Sequence, residues 1–326
     1  MQEASYAPRR RVASKRLLNL FAGAVLVVVI SVTYAPVLGG LVKDWIHDPN
    51  YNHGLLIPLI SGYLIWKSRG RFRSGKMTPS AYGLAGLLVA VVMLVVGTAG
   101  AEVFTQRLSL ILLLSFLLLF LYGRESFRVA AFPLAFLFFA IPLPYVIYYS
   151  LTSPMQAWAA KCAVFGLKSV GVQAINQGNI IHLPEGSLEV AEACSGIRSL
   201  YAFLALGALV AHAAAISVWG RLAVFSMTIP LAVAGNAIRV WGSGLGVYLF
   251  GPDFAKGTVH ELFGLMVFSV SLCVFVLFRK AAKILCSSAT LPPLSSSALR
   301  ESTRGPSALE KYPGDSRPRS SKSPPS

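Results

Sequence analysis

"YVIYYSLTSPMQAWAAKCAVFGLKSVG" (145–171) decides how the rest of the chain is laid out. It is long and apolar, and if it crossed a membrane, every later loop would change sides. Pro154, Lys161 and Lys168 interrupt it. The segment is therefore read as a helix that lies on the outer membrane surface or re-enters from it.

Its surroundings demand a membrane. Of 326 residues, 55% are hydrophobic and 13% charged, with a mean hydropathy of +0.64. That is too apolar for a soluble domain. Apolar runs near the roughly 20 residues a crossing needs occur at 17–38, 54–66, 81–99, 107–122, 127–143, 196–216, 221–239 and 259–278. The second is short and contains Pro58 and Gly62. The first has a basic flank, but it is longer than the apolar core of a signal peptide and no clear cleavage site follows. The expected fold is an all-α polytopic membrane protein of about eight transmembrane helices, with both termini on one side.

The distribution of charge orients the bundle. With the N-terminus inside, the inner segments hold 22 of the 29 Lys and Arg and 5 of the 13 acids. The outer segments hold the remaining 7 basic and 8 acidic residues. Positive charge gathers on the cytoplasmic side of membrane proteins, so the net charge of +16 reads as topology. No nucleic-acid partner is implied, because no basic–aromatic interleaving accompanies it. The parts are a basic cytoplasmic arm (1–16), an integral membrane domain (17–283) and a Ser/Pro-rich, disordered cytoplasmic tail (284–326).

Between the sixth apolar run and the surface segment lies "VQAINQGNIIHLPEGSLEVAEACSG" (172–196). "NIIHL" and "SLEVA", separated by "PEG", read as a small extracytoplasmic β-hairpin. It leads straight to Cys194, at the N-terminal lip of the next helix. A helix N-terminus favours a thiolate, and Arg198, one turn on, adds to that. Glu189 and Glu192 oppose it, which leaves the sign of the net shift open. Glu192 either positions the hairpin or tunes the cysteine.

Two spans later the chain is back on the same face. Arg239, in "GNAIRVWGSG" (235–244), is placed at the outer end of the seventh span, where an arginine is costly and a functional candidate. The glycine-dense "VWGSGLGVYLFGPDFAKGT" (240–258) reads as an external loop or re-entrant segment. His260 then opens the eighth span. Cysteine, arginine and histidine thus converge on one face. A thiolate can attack a carbonyl, an imidazole can move the proton, and a guanidinium can stabilise the oxyanion.

Plainer accounts compete with this one. Cys162, Cys273 and Cys286 read as small apolar residues, and a Cys162–Cys194 disulfide is conceivable in an oxidising compartment. Arg239 alone fits a lipid-phosphate anchor, and His260 alone an interfacial histidine. His47, His53, His182 and His212 lack metal-ligand spacing. Neither a Walker loop nor a dinucleotide fingerprint occurs, so neither metal nor cofactor is expected.

Four stretches carry a resemblance: "YNHGLLIPLISGYLIW" (51–66), "LPEGSLEVAEACSGIRSL" (183–200), "IPLAVAGNAIRV" (229–240) and "HELFGLMVF" (260–268). In this order they resemble the exosortase/archaeosortase family, membrane-embedded cysteine transpeptidases unrelated in fold to soluble sortases. The resemblance implies Cys194 as nucleophile, Arg239 as the transition-state arginine and His260 as the proton-transfer residue. It implies Asn236 as a residue that orients the arginine. The family more often has an aspartate where this chain has Glu261. The bacterial branch further implies substrates that are exported, membrane-anchored proteins with a C-terminal sorting tail of Pro-Glu-Pro motif, transmembrane helix and basic end. Cleavage would occur on the extracytoplasmic face of the bacterial inner membrane, often in exopolysaccharide producers, with the acceptor unspecified. Two other classes remain beside it. One is a non-enzymatic subunit of an exopolysaccharide export or assembly machine. The other is a glycosyl or acyl transferase acting on a lipid carrier, placed last because no outside acidic pair is evident.

Overall fold

A computed structural model describes residues 7–74, 80–214, 216–255 and 257–288. Among them the chain is a helical, multi-pass membrane protein with one small sheet. The helices are α1 (Ala7–His47), α2 (Leu56–Lys67), α3 (Arg69–Ser74), α4 (Ala81–Ala99), α5 (Val103–Phe136), α6 (Tyr145–Ser169), α7 (Ile197–Ala213), α8 (Val218–Ser226), α9 (Thr228–Phe250) and α10 (Gly257–Ser288). The first residues of the basic arm lie outside the described ones, as does the tail from 289 on. Residues 284–288, assigned to the tail, are the last turn of α10.

Five segments are long and apolar enough to cross a bilayer: Leu20–His47, Ala81–Ala99, Val103–Ala140, Val218–Phe250 and Gly257–Ile284. Ile197–Ala213 is a shorter apolar helix, and α2 has only 12 residues. The eight crossings expected from the sequence are thus not all matched by helices of spanning length. Val27, Val28, Val32, Leu88 and Val92 point outward from α1 and α4, as side chains that face lipid would.

Helix α5 is not straight. At 1.5 Å per residue a straight helix would hold Phe104 and Phe138 about 50 Å apart. Their rings meet edge to face at 6.2 Å, so the chain doubles back. The reversal is at Gly123, whose φ of 81° and ψ of −177° break the helix. Apolar side chains then lock this end of the bundle. Leu41 and Trp45 of α1, Ile57 of α2, Phe136 of α5 and Ala205 of α7 share one cluster. The Trp45 indole donates to the Ala140 carbonyl at 2.7 Å. The Arg107 guanidinium donates to Asp44 at 2.6 Å, tying α5 to α1.

The segment 145–169 forms one helix, α6, with Pro154 inside it. Its first turns lie beside Tyr51 and Glu192, and its last turns meet Trp241 and Gly244. Both ends of α6 therefore meet the same end of the bundle. The sheet packs against α6 and α9 there. It has three antiparallel strands, one more than the expected hairpin: β1 (Ile175–Gln177), β2 (Ile180–Leu183) and β3 (Gly186–Glu189), in that order. Ile181, Leu183 and Leu188 point inward onto Ala163, Leu167, Val240 and Val247. Alternation of apolar and polar residues in β2 and β3 fixes this facing. The β1 strand lacks such a pattern, which is why it escaped the sequence reading.

Two further expectations are corrected. Residues 240–258 are not a loop: α9 runs on to Phe250, and a short 3₁₀ turn, Pro252–Ala255, precedes α10. The glycines serve close packing instead. Gly242 faces Phe263, Gly244 faces Leu167 and Gly246 faces Phe254, with no room for a Cβ. In consequence Arg239 lies midway along α9 and not at the outer end of a span.

The reversal at Gly123 is testable. Its backbone conformation is open to glycine almost alone, and a Cβ there costs about 1–3 kcal/mol. Gly123→Ala is expected to lower the thermal unfolding midpoint in detergent by several degrees, followed by tryptophan fluorescence. An unchanged midpoint would show that the chain does not turn there.

Candidate active site

The residues Glu192–Cys194 form a 3₁₀ turn directly after β3. The next glycine, Gly196, has a φ of 84°. A Cβ on it would also lie 2.6 Å from Cγ of Asn236. Backbone conformation and space both require glycine here. The amide of Asn236 donates to the Cys194 carbonyl at 3.0 Å. In this way α9 holds the backbone of the cysteine in place, a contact the sequence did not suggest.

Helix α7 begins at Ile197, so the thiol stands just outside the first turn. Burial pushes the Cys194 thiol up from its ordinary pKa, and the nearby Arg239 and Arg198 only partly offset this. The sign left open by the sequence is therefore upward. Cys162, Cys194 and Cys273 are free thiols, so the Cys162–Cys194 disulfide is not formed.

Helices α9 and α10 bring the partners. The Cys194 Sγ lies 3.1 Å from Nε2 of His260. An Nη of Arg239 lies 3.0 Å from the same nitrogen. A guanidinium can only donate, so Nε2 is the unprotonated nitrogen. The proton then sits on Nδ1, 3.3 Å from Oγ of Ser243. Ser243 follows Arg239 by one helical turn and shares its face. The glycine-dense 240–258 reads as an external loop or re-entrant segment, and in neither is Ser243 aligned with Arg239 on a helical face. Gly264, one turn after His260, makes room for the arginine: a Cβ there would lie 2.8 Å from Nε of Arg239.

The outlying candidates fall around this cluster. Arg198 is exposed, and its Nε donates to Asn50 at 3.4 Å. It touches the thiol only through its field. Glu192 points away from the thiol, beside Tyr148 and Tyr149. It lines an open cavity of about 1020 Å³ that also gathers Asp44, Asp48 and Glu102. The sequence did not foretell that grouping, because α1, the α4–α5 turn and the 3₁₀ turn at Glu192–Cys194, far apart in the chain, supply it. On the other side of the 189–194 segment, a small pocket holds Cys194, Arg239, Ser243 and His260, with Leu188, Glu189 and Val190 of the β3 segment along its wall.

Chemically, the thiol S–H and an Arg239 N–H converge on the one imidazole lone pair, that of Nε2. Loss of the thiol proton to Nε2 would leave the guanidinium without that acceptor and next to the new thiolate. A thiol, an imidazole and a guanidinium in one half-buried pocket are groups that acyl transfer through a thioester can use.

A polytopic membrane protein with such a cluster belongs to a narrow class. The transmembrane exosortase family model (Exosortase_EpsH) matches residues 45–277, and the chain belongs to that family. No curated protein and no solved structure matches it. The matched span includes Cys194, Arg239 and His260.

A raised thiol pKa makes the resting cysteine protonated near neutrality. Alkylation by iodoacetamide should therefore rise with pH along a curve whose midpoint lies above that of an ordinary cysteine. Arg198→Ala removes a cation that favours the thiolate, so the midpoint should move further up. A midpoint below the ordinary value would contradict burial as the dominant influence. Ser243→Ala leaves the imidazole without its Nδ1 partner and should reduce turnover about 10-fold, the scale of one hydrogen bond.

Proposed function

We propose that the chain is a membrane cysteine protease and transpeptidase that removes C-terminal sorting tails from exported proteins. The observation that carries this reading is the 3.1 Å approach of Cys194 Sγ to His260 Nε2, with Arg239 3.0 Å from the same nitrogen. Family membership supports transpeptidase chemistry in general. The tail itself, with its Pro-Glu-Pro motif, helix and basic end, follows from the resemblance, as does a link to exopolysaccharide-producing surface systems.

The steps use groups already in place. His260 Nε2 takes the Cys194 proton as sulfur attacks the scissile carbonyl. Arg239 faces the charge that develops on the carbonyl oxygen. The C–N bond breaks, and the imidazolium returns its proton to the departing amine. The acyl group is now a thioester on Cys194. Water or an amine-bearing acceptor attacks it, loses a proton to His260, and the thiolate leaves. Asn236 and Gly196 fix the cysteine's backbone during both steps.

Charge supports an extracytoplasmic site. The end of the bundle opposite the cluster carries Lys67, Arg69, Arg71, Arg124, Arg128, Arg221, Arg279 and Lys280. The cluster end carries Asp44, Asp48, Glu102, Glu185, Glu189, Glu192 and Asp253 beside Lys43, Arg107, Lys161, Lys168, Arg198 and Arg239, and is close to neutral. By the positive-inside rule this difference favours a cytoplasmic basic end and an extracytoplasmic cluster. A subunit that served only as a scaffold would have no use for a thiol aligned on an imidazole lone pair.

The test is co-expression with a tagged reporter that ends in a Pro-Glu-Pro motif, a transmembrane helix and an Arg-rich end. Wild type should release a shortened reporter, and mass at its new C-terminus distinguishes hydrolysis from transfer. Cys194→Ala and His260→Ala should reduce cleavage at least 10³-fold while the protein still inserts, in line with loss of a nucleophile or its base. Normal processing by inserted Cys194→Ala would remove the thioester route.

A further inference from the structure

The sheet has an edge beside the nucleophile. In the order β1-β2-β3, β3 pairs with β2 alone. Its register pairs Leu183 with Gly186 across a two-residue turn, and Ile181 with Leu188. In an antiparallel hairpin of this kind these are the hydrogen-bonded pairs, and alternate residues turn their N–H and C=O away from the partner strand. Val190 keeps the phase, since its N–H donates to the Asn179 carbonyl at 2.8 Å. The backbone groups of Ser187 and Glu189 therefore point to the outer edge. Of these, only the Glu189 carbonyl has a partner in the fold, the Ala191 N–H at 3.0 Å. Both residues are exposed.

Two features tie this edge to the chemistry. The strand leads through Ala191 into the turn that carries Cys194. Leu188, Glu189 and Val190 also line the small pocket that holds Cys194, Arg239 and His260. An edge strand with unpaired groups is a template for another extended chain, and proteins that leave one open beside a site use it to bind. Pro252, in the short turn that packs beside β3, lies against its Gly186 end, where a Cβ would sit 3.3 Å from the ring.

We infer that β3 is the substrate-docking strand: an extended polypeptide adds to it as a fourth strand, pairing with Ser187 and Glu189, and is thereby delivered to Cys194. The ligand class is an extended peptide backbone, recognised by main-chain hydrogen bonds. The inference rests on Cys194 being the reactive thiol of the Proposed function, but it does not depend on any particular sorting tail. It explains why a short sheet immediately precedes the cysteine. It also explains why Leu188 and Val190 are turned inward: their packing holds the strand rigid while the alternate residues present hydrogen-bonding groups.

The experiment compares two electrophiles on the purified full chain in detergent. One is a tripeptidyl chloromethyl ketone, the other is chloroacetamide, which has no backbone to pair. Labelling of Cys194 is followed by mass. Wild type should react at least about 10-fold faster with the peptidyl reagent after correction for intrinsic reactivity. Glu189→Pro removes an outward N–H that the β2 ladder does not use, and should abolish that excess while chloroacetamide labelling is retained. Asn176→Pro, the same change on the far edge of the sheet, should keep the excess.

A second arm leaves the protein unaltered. Methylating one backbone nitrogen of the peptidyl reagent at a time should slow labelling about 10-fold at alternate positions only, the loss expected for a hydrogen bond. Equal slowing at every position, or none at any, overturns the inference even if Glu189→Pro proves unstable. So does an unchanged excess in a Glu189→Pro protein that chloroacetamide labels normally. Failure of wild type to cut the tail reporter, with the peptidyl excess intact, would instead count against the Proposed function and leave the docking strand standing.

Discussion

A guanidinium midway along an apolar helix is the constraint on which this end of the molecule depends. A charged side chain within a spanning segment is expensive unless it is paired or solvated. Arg239 meets His260 of α10 at 3.0 Å, and Gly264 leaves it the space to do so. That contact joins α10 to α9, alongside the packing of Phe263 on Gly242 and of Ser271 on Gly235. It also fixes the imidazole tautomer, because an arginine cannot accept a hydrogen bond. With Nδ1 protonated and turned to Ser243, the remaining lone pair faces the cysteine. The same face of α9, one turn earlier, carries Asn236, which holds the backbone of Cys194. Three consecutive turns of one helix thus place the cysteine, the cation and the base's partner.

Much of this was legible in the sequence, for a physical reason. Hydrophobic runs and the segregation of charge are long-range averages, and they survive local irregularity. They gave the membrane class and the convergence of Cys194, Arg239 and His260 on one end. The failures lie where one residue type serves two purposes. Gly242, Gly244 and Gly246 read as loop formers, yet each admits a large side chain against α9. Taking them for a loop ended the helix too early, put Arg239 at its tip and hid Ser243. Strand β1 was lost because three residues with one apolar side chain have no period to detect. The doubling back at Gly123 was anticipated only as two separate runs, since the sequence shows an interruption and not its angle.

The arrangement leaves the thiol protonated at rest, which limits its reactivity. Thiolates are the species that oxidants and stray electrophiles attack. Burial raises the pKa of Cys194 more than Arg239 and Arg198 lower it, so exposure of a reactive sulfur is limited. In the proposed reaction, a carbonyl placed against Sγ would let proton transfer to His260 and attack proceed together, with the guanidinium beside the developing anion. The pocket that holds the sulfur is small, and Cys194 does not line the large open cavity on the other side of the 189–194 segment. In the proposed reading a membrane-anchored polypeptide enters extended, and the edge of β3 imposes its register. Protection of the nucleophile and selection of the substrate would thus follow from the same packing of sheet, α6 and α9.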